Sequence, residues 1–512
     1  MKRASAFNNT RMKISNASSI RPLKINNSRM KTIKTLCIFL VFLGLMLGSC
    51  DNFTELNTDP NRMDKVTPGA MLNPILYELS DYNWNRSNGF TMELMQVSLP
   101  TNSSGGVSRY NFNDNAGNGT WDTYYRWLNN IKEMETLAIS FNDPNYQAVA
   151  LTLRSWVMQL LADSFGDVPM SEASRGAEGL LQPKFDTQEE IYTQLLANLD
   201  QANTLFNTAA GLRYNTEGEF LFGTNDALVS GQSVGIAKWK KFCNSLRLRI
   251  ALRMVNSNNS KAKSEIEAIL SNPVTYPVFT KNDESALLPI SGVFPQEAPM
   301  TRPQDFTSYR GVASFFIDNL NTWNDPRRDV FCTKVNGIFI GWPSGYNVAP
   351  TIPVTPSNMN QNLAKAPLKV VILPYAEIEF IRAEAAFYGW NTNGKTANDS
   401  YMAGVKAAIE QWGAVVPANY FTVPAAAYNN TLERIILQKY YALFFCDYQQ
   451  WFELMRTGYP VLPLGDGVPV GNKMPNRFKY PETVQRTNLK NYQEAVASIG
   501  GDTFNNKLWW QK

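Results

Sequence analysis

The chain of 512 residues contains no histidine. This absence excludes the Ser-His and Cys-His pairs that activate many hydrolytic nucleophiles, and it removes the commonest transition-metal ligand. Carboxylate chemistry stays open, because a glycoside hydrolase needs only two acidic side chains. A glycoside hydrolase is therefore the enzyme class that we consider as an alternative function.

Cysteine is scarce, with five residues in the whole chain. Cys37 and Cys50 lie in an N-terminal segment, which leaves Cys243, Cys332 and Cys446. An odd number of widely spaced cysteines predicts neither a disulfide framework nor a metal cluster. We therefore expect no cofactor and no metal site.

The chain also lacks a hydrophobic run at its N-terminus long enough to span a bilayer. The uncharged apolar segment from Thr35 to Leu47 has 13 residues, whereas a membrane helix needs about 18 to 20. This length is typical of the apolar region of a signal peptide, and Lys31 and Lys34 supply the positive charges expected before it. The segment therefore predicts export.

The apolar segment ends in Leu47-Gly48-Ser49-Cys50, which resembles a bacterial lipobox. The resemblance implies that Cys50 is diacylated and becomes the mature N-terminus. Two acyl chains anchor a protein stably, at about 0.8 kcal/mol for each buried CH₂ group. The alternative is a secretory signal or core segment in which Cys50 is incidental.

The order of segments predicts four parts. Residues 1–29 are basic, rich in Asn and Ser, and free of acidic residues, so we interpret them as an upstream extension with Met30 as the working start. An unusually long positive region of the signal is the alternative. Residues 30–49 are predicted as the signal peptide, 50–67 as a lipidated tether and 68–512 as one domain.

Positive charge is concentrated before the predicted cleavage site. Residues 1–49 contain nine Lys or Arg and no acid, so the remaining 463 residues carry 39 basic and 44 acidic side chains. A mildly acidic mature chain lacks the basic surface of a nucleic-acid-binding protein, and we predict no nucleic-acid partner.

The mature chain is predicted to be mostly helical. Pro68 follows Thr67 as the first helical residue after an N-cap, and apolar residues then recur at helical spacing. Further helices are predicted at 121–141, 147–165, 187–206, 236–255, 261–270, 374–389, 398–412 and 432–455. Residues 272–370 are predicted as a mostly irregular excursion with one helix near 312–323, and 374–412 look like a tetratricopeptide helix pair.

Several short motifs follow one another along the chain. They are Asn57-Thr58-Asp59-Pro60, Ala162 to Pro169, Ser171-Glu172-Ala173, Asn324 to Arg328, Arg382 to Ala386, Trp451 to Pro460 and Arg477 to Pro481. Together with the lipobox, their order resembles the SusD/RagB family of Bacteroidota outer-membrane lipoproteins, in its SusD-like subgroup.

The resemblance implies a superhelix of tetratricopeptide-like helix pairs whose long loops form a ligand face. It also implies a surface-exposed lipoprotein of the outer membrane that captures glycan or peptide fragments. The implied partner is a SusC-like TonB-dependent barrel transporter, to which the fragments pass. No enzymatic activity is implied, and a surface glycoside hydrolase with two carboxylates about 5 to 9.5 Å apart is the alternative.

The charged motif residues are interpreted structurally. We expect Asp163 and Asp167 to cap or brace a helix end. Glu453 and Arg456 stand three apart and predict an ordinary side-chain pair on one helix face. Arg382 and Glu384 are expected to be polar groups on the helix surface or between helices.

Flat aromatic rings beside polar side chains are typical of sugar sites, because a sugar ring has apolar C–H faces and hydroxyl edges. The loops offer six such ligand-binding candidates, which are Trp342, Tyr346, Trp84, Tyr110, Arg302 and Tyr309. Trp323 is expected instead in the core at a helix end.

Overall fold

Helices form most of the residues that the structure describes, which are 66–101, 106–213, 218–223, 228–346 and 355–512 of a computed structural model. The predicted upstream extension, the signal peptide and Cys50 lie outside these ranges, as does nearly all of the predicted tether. Residues Val66–Lys512 form one compact unit.

The helices and strands of the described residues have the following bounds. The helices are α1 (Pro68–Arg86), α2 (Met92–Leu94), α3 (Asn118–Ser140), α4 (Pro144–Phe165), α5 (Gln188–Leu205), α6 (Val234–Arg253), α7 (Asn259–Ser271), α8 (Ser314–Thr322), α9 (Arg327–Phe331), α10 (Tyr375–Phe387), α11 (Ala397–Glu410), α12 (Leu432–Ala442), α13 (Gln449–Thr457), α14 (Glu482–Thr487) and α15 (Leu489–Ile499). The strands are β1 (Ser98–Pro100), β2 (Ala286–Ile290), β3 (Arg310–Val312) and β4 (Leu368–Leu373).

Local signals set the ends of the long helices. The Asp143 carboxylate accepts a hydrogen bond of 3.3 Å from the Tyr146 amide and caps α4. At the start of α5, Thr187 and Glu190 exchange side-chain and backbone hydrogen bonds as a capping box. Each bond satisfies an amide that has no partner within the helix, so the helix begins at that residue.

Successive helices pack against one another, α3 on α4, α4 on α5, α5 on α6 and α6 on α7, and later α10 on α11. The predicted helix pair at 374–412 is confirmed. Its close approach depends on Gly404, because an ideal Cβ there would lie 3.0 Å from the Phe380 ring. The predicted helical, tetratricopeptide-like fold class is confirmed, and Trp323 lies in the core with 2% of its surface exposed.

The helix predicted at 432–455 is wrong, because two helices occupy this range. α12 ends at Ala442 and α13 begins at Gln449, and between them Phe445 and Asp447 take positive φ angles of 62° and 35°. Phe445 is buried and stacks on Trp84 with ring centroids 5.3 Å apart. Burial of the Phe445 ring in the core offsets the free-energy cost of its strained backbone. Local periodicity cannot reveal the contact between Phe445 and Trp84.

The excursion at 272–370 contains strands that the sequence pattern did not predict. β2 pairs antiparallel with β4, and β1 pairs antiparallel with β3, so that Ser98 faces Val312. These strands have three to six residues, and their partners stand tens to hundreds of residues away in the chain. A short strand with a distant partner leaves little periodicity to detect. The excursion also contains α8 and α9, and β4 begins within it.

Candidate ligand-binding face

The turn from Gly341 to Tyr346 is fastened to the β1–β3 sheet through Trp342. The Trp342 amide donates to the Val312 carbonyl at 2.8 Å, and the Trp342 carbonyl accepts from the Ser314 amide at 2.8 Å. The Trp342 side chain remains only partly buried. The main chain of this residue is therefore held rigidly, while its ring stays available at the surface.

Arg109 joins this turn to a distant loop. Its Nη2 donates to the Tyr346 carbonyl and its Nη1 to the Gly467 carbonyl, each at 2.6 Å. The Asn472 amide side chain in turn donates to the Arg109 carbonyl at 3.0 Å. Arg109 is buried, with 7% of its surface exposed, and yet it forms no ion pair with a described acidic residue. The dipoles of the two carbonyl groups compensate the positive charge of Arg109. Arg109 therefore connects the segments that carry Tyr346 and Gly467.

We call residues 107–110, 341–346 and 461–472 the loop face, because these contacts hold them together. The approach is so close that a side chain at Gly467 cannot fit. An ideal Cβ there would overlap Arg109 Nη1 and lie 2.7 Å from the carbonyl oxygens of Gly345 and Tyr346. Glycine at this position is therefore required by packing.

Two buried polar atoms, one within the loop face and one packed against it, have no hydrogen-bond partner among the described residues. They are Gln96 Oε1 and Ser344 Oγ, in side chains whose residues are 2% and 7% exposed. The other end of the Gln96 amide donates to the Pro463 carbonyl at 2.7 Å, which places it against the loop face. Leaving a buried polar group unpaired costs about 1–3 kcal/mol.

Four of the six predicted ligand residues lie at the protein surface, and two of them belong to the loop face. Trp342 and Tyr346 are half-buried within the loop face. Tyr309 is 74% exposed and immediately precedes β3. The residue after β3, Ala313, forms a β-bridge with Trp342. Arg302 is exposed and makes two hydrogen bonds of 2.9 Å to Asp305, so its guanidinium is already paired.

The predictions for Trp84 and Tyr110 need correction, because both side chains are buried. Trp84 belongs to α1 and not to a loop, since the helix continues to Arg86. Its ring is 1% exposed and stacks on Phe445. Tyr110 is 7% exposed, and burial raises the pKa of its hydroxyl. Rings enclosed in this way pack the protein and cannot stack on a ligand at the surface.

Arg109 and the 461–472 loop were not among the predicted ligand-binding residues. Nothing about an isolated arginine shows that its partners are two carbonyls more than 200 residues away. The closely spaced Gly465 and Gly467 were the available signal, because paired glycines in a loop often mark a close backbone approach.

The charged motif residues form a buried ion network inside the helical scaffold. Arg456 makes two hydrogen bonds to Glu384, at 2.5 and 2.8 Å, and two to Glu453, at 2.7 and 3.4 Å. Lys439 and Arg253 also contact Glu453, at 2.8 and 2.9 Å. Burial alone would raise the pKa of Glu453, but these three cations outweigh it and hold the pKa well below its usual range. The predicted pair of Glu453 and Arg456 is confirmed as one part of this network.

The neighbouring motif aspartates have different surroundings. Asp167 accepts a hydrogen bond of 2.8 Å from the Gln188 amide at the start of α5, as expected for a residue that braces a helix end. Asp163 is fully buried instead, accepts a hydrogen bond from the Tyr192 hydroxyl and lies 3.4 Å from Arg253 Nε. Because Glu384, Glu453 and Asp163 are enclosed within the scaffold, none of them can contact a ligand at the surface.

The family model described as starch-binding and associating with the outer membrane matches residues 60–481. This span is most of the chain. The chain belongs to the SusD-like family. The family inferred from the motifs is therefore confirmed, and the SusD-like protein is assigned to the outer membrane with its relatives.

Solved structures share the fold of this SusD-like protein. A chitin-binding protein superposes with a TM-score of 0.74 and 25% sequence identity, covering 87% of this chain and 100% of that chain. A SusD homologue from Bacteroides uniformis gives 0.73 and 25%, with coverages of 88% and 100%. A chitin-binding SusD homologue from Flavobacterium johnsoniae gives 0.71 and 22%, with coverages of 86% and 97%. No curated protein matches the sequence.

No helix among the described residues is long and apolar enough to cross a membrane. The same residues contain no group of three or more His, Cys, Asp or Glu side chains arranged to hold a metal ion.

Proposed function

We propose that this SusD-like protein is a cell-surface lipoprotein that captures oligosaccharides on its loop face and passes them to a SusC-like TonB-dependent transporter. The observation that carries the proposal is the partly exposed Trp342 ring, held on a fixed main chain in a loop face that also contains the half-buried Tyr346. Aromatic rings held at the surface match the apolar C–H faces of a sugar ring. The chitin-binding relatives support a glycan over a peptide.

The ligand class is tested by titrating the full-length protein, purified in detergent, with panels of glycans and peptides. We expect saturable binding of a glycan, and Trp342→Ala should weaken it at least tenfold, which corresponds to about 1.4 kcal/mol. Trp127→Ala is the matched control, because Trp127 is another partly buried tryptophan, on α3 and outside the loop face. Peptide binding without glycan binding would contradict the proposal, and release of shortened sugars would favour the hydrolase alternative.

Membrane attachment through Cys50 is part of the same proposal. Its support is the short apolar segment that ends in Leu47-Gly48-Ser49-Cys50. In cells, Cys50→Ser should release the protein from the membrane fraction, because the acylated thiol is gone. Mass spectrometry of the mature N-terminus provides a direct check, and an unmodified Cys50 would contradict the anchor.

Delivery to the transporter is tested in the source bacterium. Affinity purification of the tagged protein should recover a barrel transporter, and deleting that barrel should abolish uptake of the bound glycan. Uptake that continues without the barrel would contradict the delivery step while leaving glycan capture intact.

A further inference from the structure

A cavity lies between three helices of the scaffold, outside the loop face. Its volume is about 300 Å³, at the lower end of the range of about 300–1,000 Å³ that is common for small-molecule sites. Its walls come from α3, α4, α5 and the loop at 170–174. None of the described residues in these walls belongs to the loop face. A ligand in this cavity would therefore be held independently of Trp342.

Two cations line this cavity, which we call the charged cavity. They are Lys132 and Arg154, and no Asp or Glu stands among the described residues of its walls. Lys132 Nζ donates a hydrogen bond of 2.9 Å to the Ser174 carbonyl and forms no ion pair with a described residue. Arg154 Nη1 donates to Glu135 at 2.8 Å, while its Nε and Nη2 bind no described residue. Because an ammonium has three donors and a guanidinium five, both cations can also bind an anion.

Two acidic side chains outside the walls act on these cations without cancelling their charge. Glu135 pairs with Arg154, whose side chain keeps 30% of its surface exposed. Glu178 lies close enough to feel the charge of Lys132, but its carboxylate is paired with Arg175 at 2.6 Å. A net positive charge therefore remains at the wall of the charged cavity.

The rest of the wall of the charged cavity combines carboxamides with an apolar surface. Asn198 is 3% exposed, and its Oδ1 accepts a hydrogen bond of 2.9 Å from Gln194 Nε2. The Nδ2 atom of Asn198 donates to no described residue and is not enclosed. Leu128, Met158 and Met170 form the apolar part of the wall. The charged cavity thus offers cations, a free amide donor and an apolar surface.

A further cavity adjoins the charged cavity, because Ala173 and Ser174 line both. Its volume is about 250 Å³, and none of the described residues in its walls is charged. Three aromatic rings line it, those of Trp121, Tyr125 and Phe185, and the last two are partly exposed. We call it the aromatic cavity. Its rings match the apolar C–H face of a sugar.

We infer that the two cavities together form a second glycan site, in which the charged cavity takes a uronic acid residue and the aromatic cavity takes its neighbour in the oligosaccharide. The site depends on the proposed glycan-binding function but not on the loop face. The carboxylate of the uronic acid would pair with Lys132 and Arg154, and its hydroxyl groups would accept from Asn198. A bare inorganic anion would bind the cations but leave the apolar walls in contact with water.

The test compares acidic trisaccharides with neutral forms of the same backbone. The trimers of α-1,4-linked galacturonic acid, β-1,4-linked glucuronic acid and β-1,4-linked mannuronic acid are each titrated beside their methyl esters, which lack the charge. Calorimetry of the full-length protein in detergent should show at least one acid that binds about tenfold or more tightly than its ester, because hydrogen bonds to charged groups are the stronger ones. Three acids that fail to bind, or that bind no better than their esters, would overturn the inference. Inorganic phosphate that binds as tightly as the best trimer would also overturn it.

Two variants locate the acidic ligand. Lys132→Met removes the unpaired cation at similar size and should weaken the acid about tenfold or more, while its ester is unaffected. Ala173→Trp should fill the junction of the two cavities and weaken the acid without lowering the thermal unfolding temperature. Lys406→Met is the matched control, because it removes one positive charge from α11 outside both cavities, and it should leave the affinity unchanged. Parental affinity for the acid in both cavity variants would overturn the inference.

The variant Trp342→Ala separates the second site from the proposed function. It should bind the acidic trimer with parental affinity, because Trp342 lies outside both cavities. Binding that is lost in Trp342→Ala, but kept in both cavity variants, would support the proposed function and overturn the second site. A neutral glycan that binds while all three acids fail would have the same meaning. Failure of every glycan would overturn both.

Discussion

Replacing Arg456 should destabilise the protein severely, because its guanidinium neutralises Glu384 in a site that water cannot reach. Arg456 and Glu384 are joined by two hydrogen bonds, and both side chains are at most 1% exposed. In Arg456→Met, Glu384 keeps only the Tyr388 hydroxyl at 3.0 Å, whereas Glu453 retains Lys439 and Arg253. Stranding one buried carboxylate costs about 3–5 kcal/mol.

The assay is urea unfolding of Arg456→Met and parent at one pH, with the slope of the transition checked for equality. The double variant Arg456→Met/Glu384→Gln should recover part of the loss, because it removes the stranded charge. Arg175→Met is the control, since its partner Glu178 lies in an exposed pair and no measurable change is expected there. A loss below about 1 kcal/mol for Arg456→Met would refute the reasoning.

Two further predictions concern pH and loop packing. Burial raises the pKa of Asp163 from 3.8 to about 6 despite the nearby Arg253. Between about pH 4 and 6 the folded protein therefore holds a proton that the unfolded chain has released, so stability falls as the pH rises, by up to about 1.4 kcal/mol per pH unit. Asp163→Asn should remove this slope in urea unfolding from pH 4.5 to 7, and a constant difference from the parent would contradict it. Gly467→Ala should displace Arg109, cost about 1–3 kcal/mol and weaken glycan binding. The control Gly176→Ala, whose Cβ meets open space, should change neither thermal unfolding nor titration; an unchanged Gly467→Ala would contradict the packing argument.

Much of the helical scaffold could be predicted because its signals are local. The capping box at Thr187, the N-cap at Asp143 and the small residue Gly404 all act on neighbours within one helix or one helix pair. The predicted helices at 147–165, 187–206 and 261–270 consequently differ from the structure by at most a few residues.

The errors arose where a distant contact overrides a local pattern. The 432–455 segment has the periodicity of one helix, but burial of Phe445 against Trp84 breaks it. The polar residues around Trp84 are typical of a loop, although the Trp84 ring lies inside the core. Local periodicity is silent about this contact, because Trp84 and Phe445 stand more than 300 residues apart in the chain.

By itself the sequence determined the helical class, the family and the structural character of the charged motifs. Composition, caps and motif order depend on residues close together in the chain, so they can be read without coordinates. Only the tertiary structure decided which carboxylate Arg456 neutralises, which carbonyls Arg109 joins and which aromatic rings reach the surface. These outcomes depend on distances between segments far apart in sequence, and only the folded chain sets such distances.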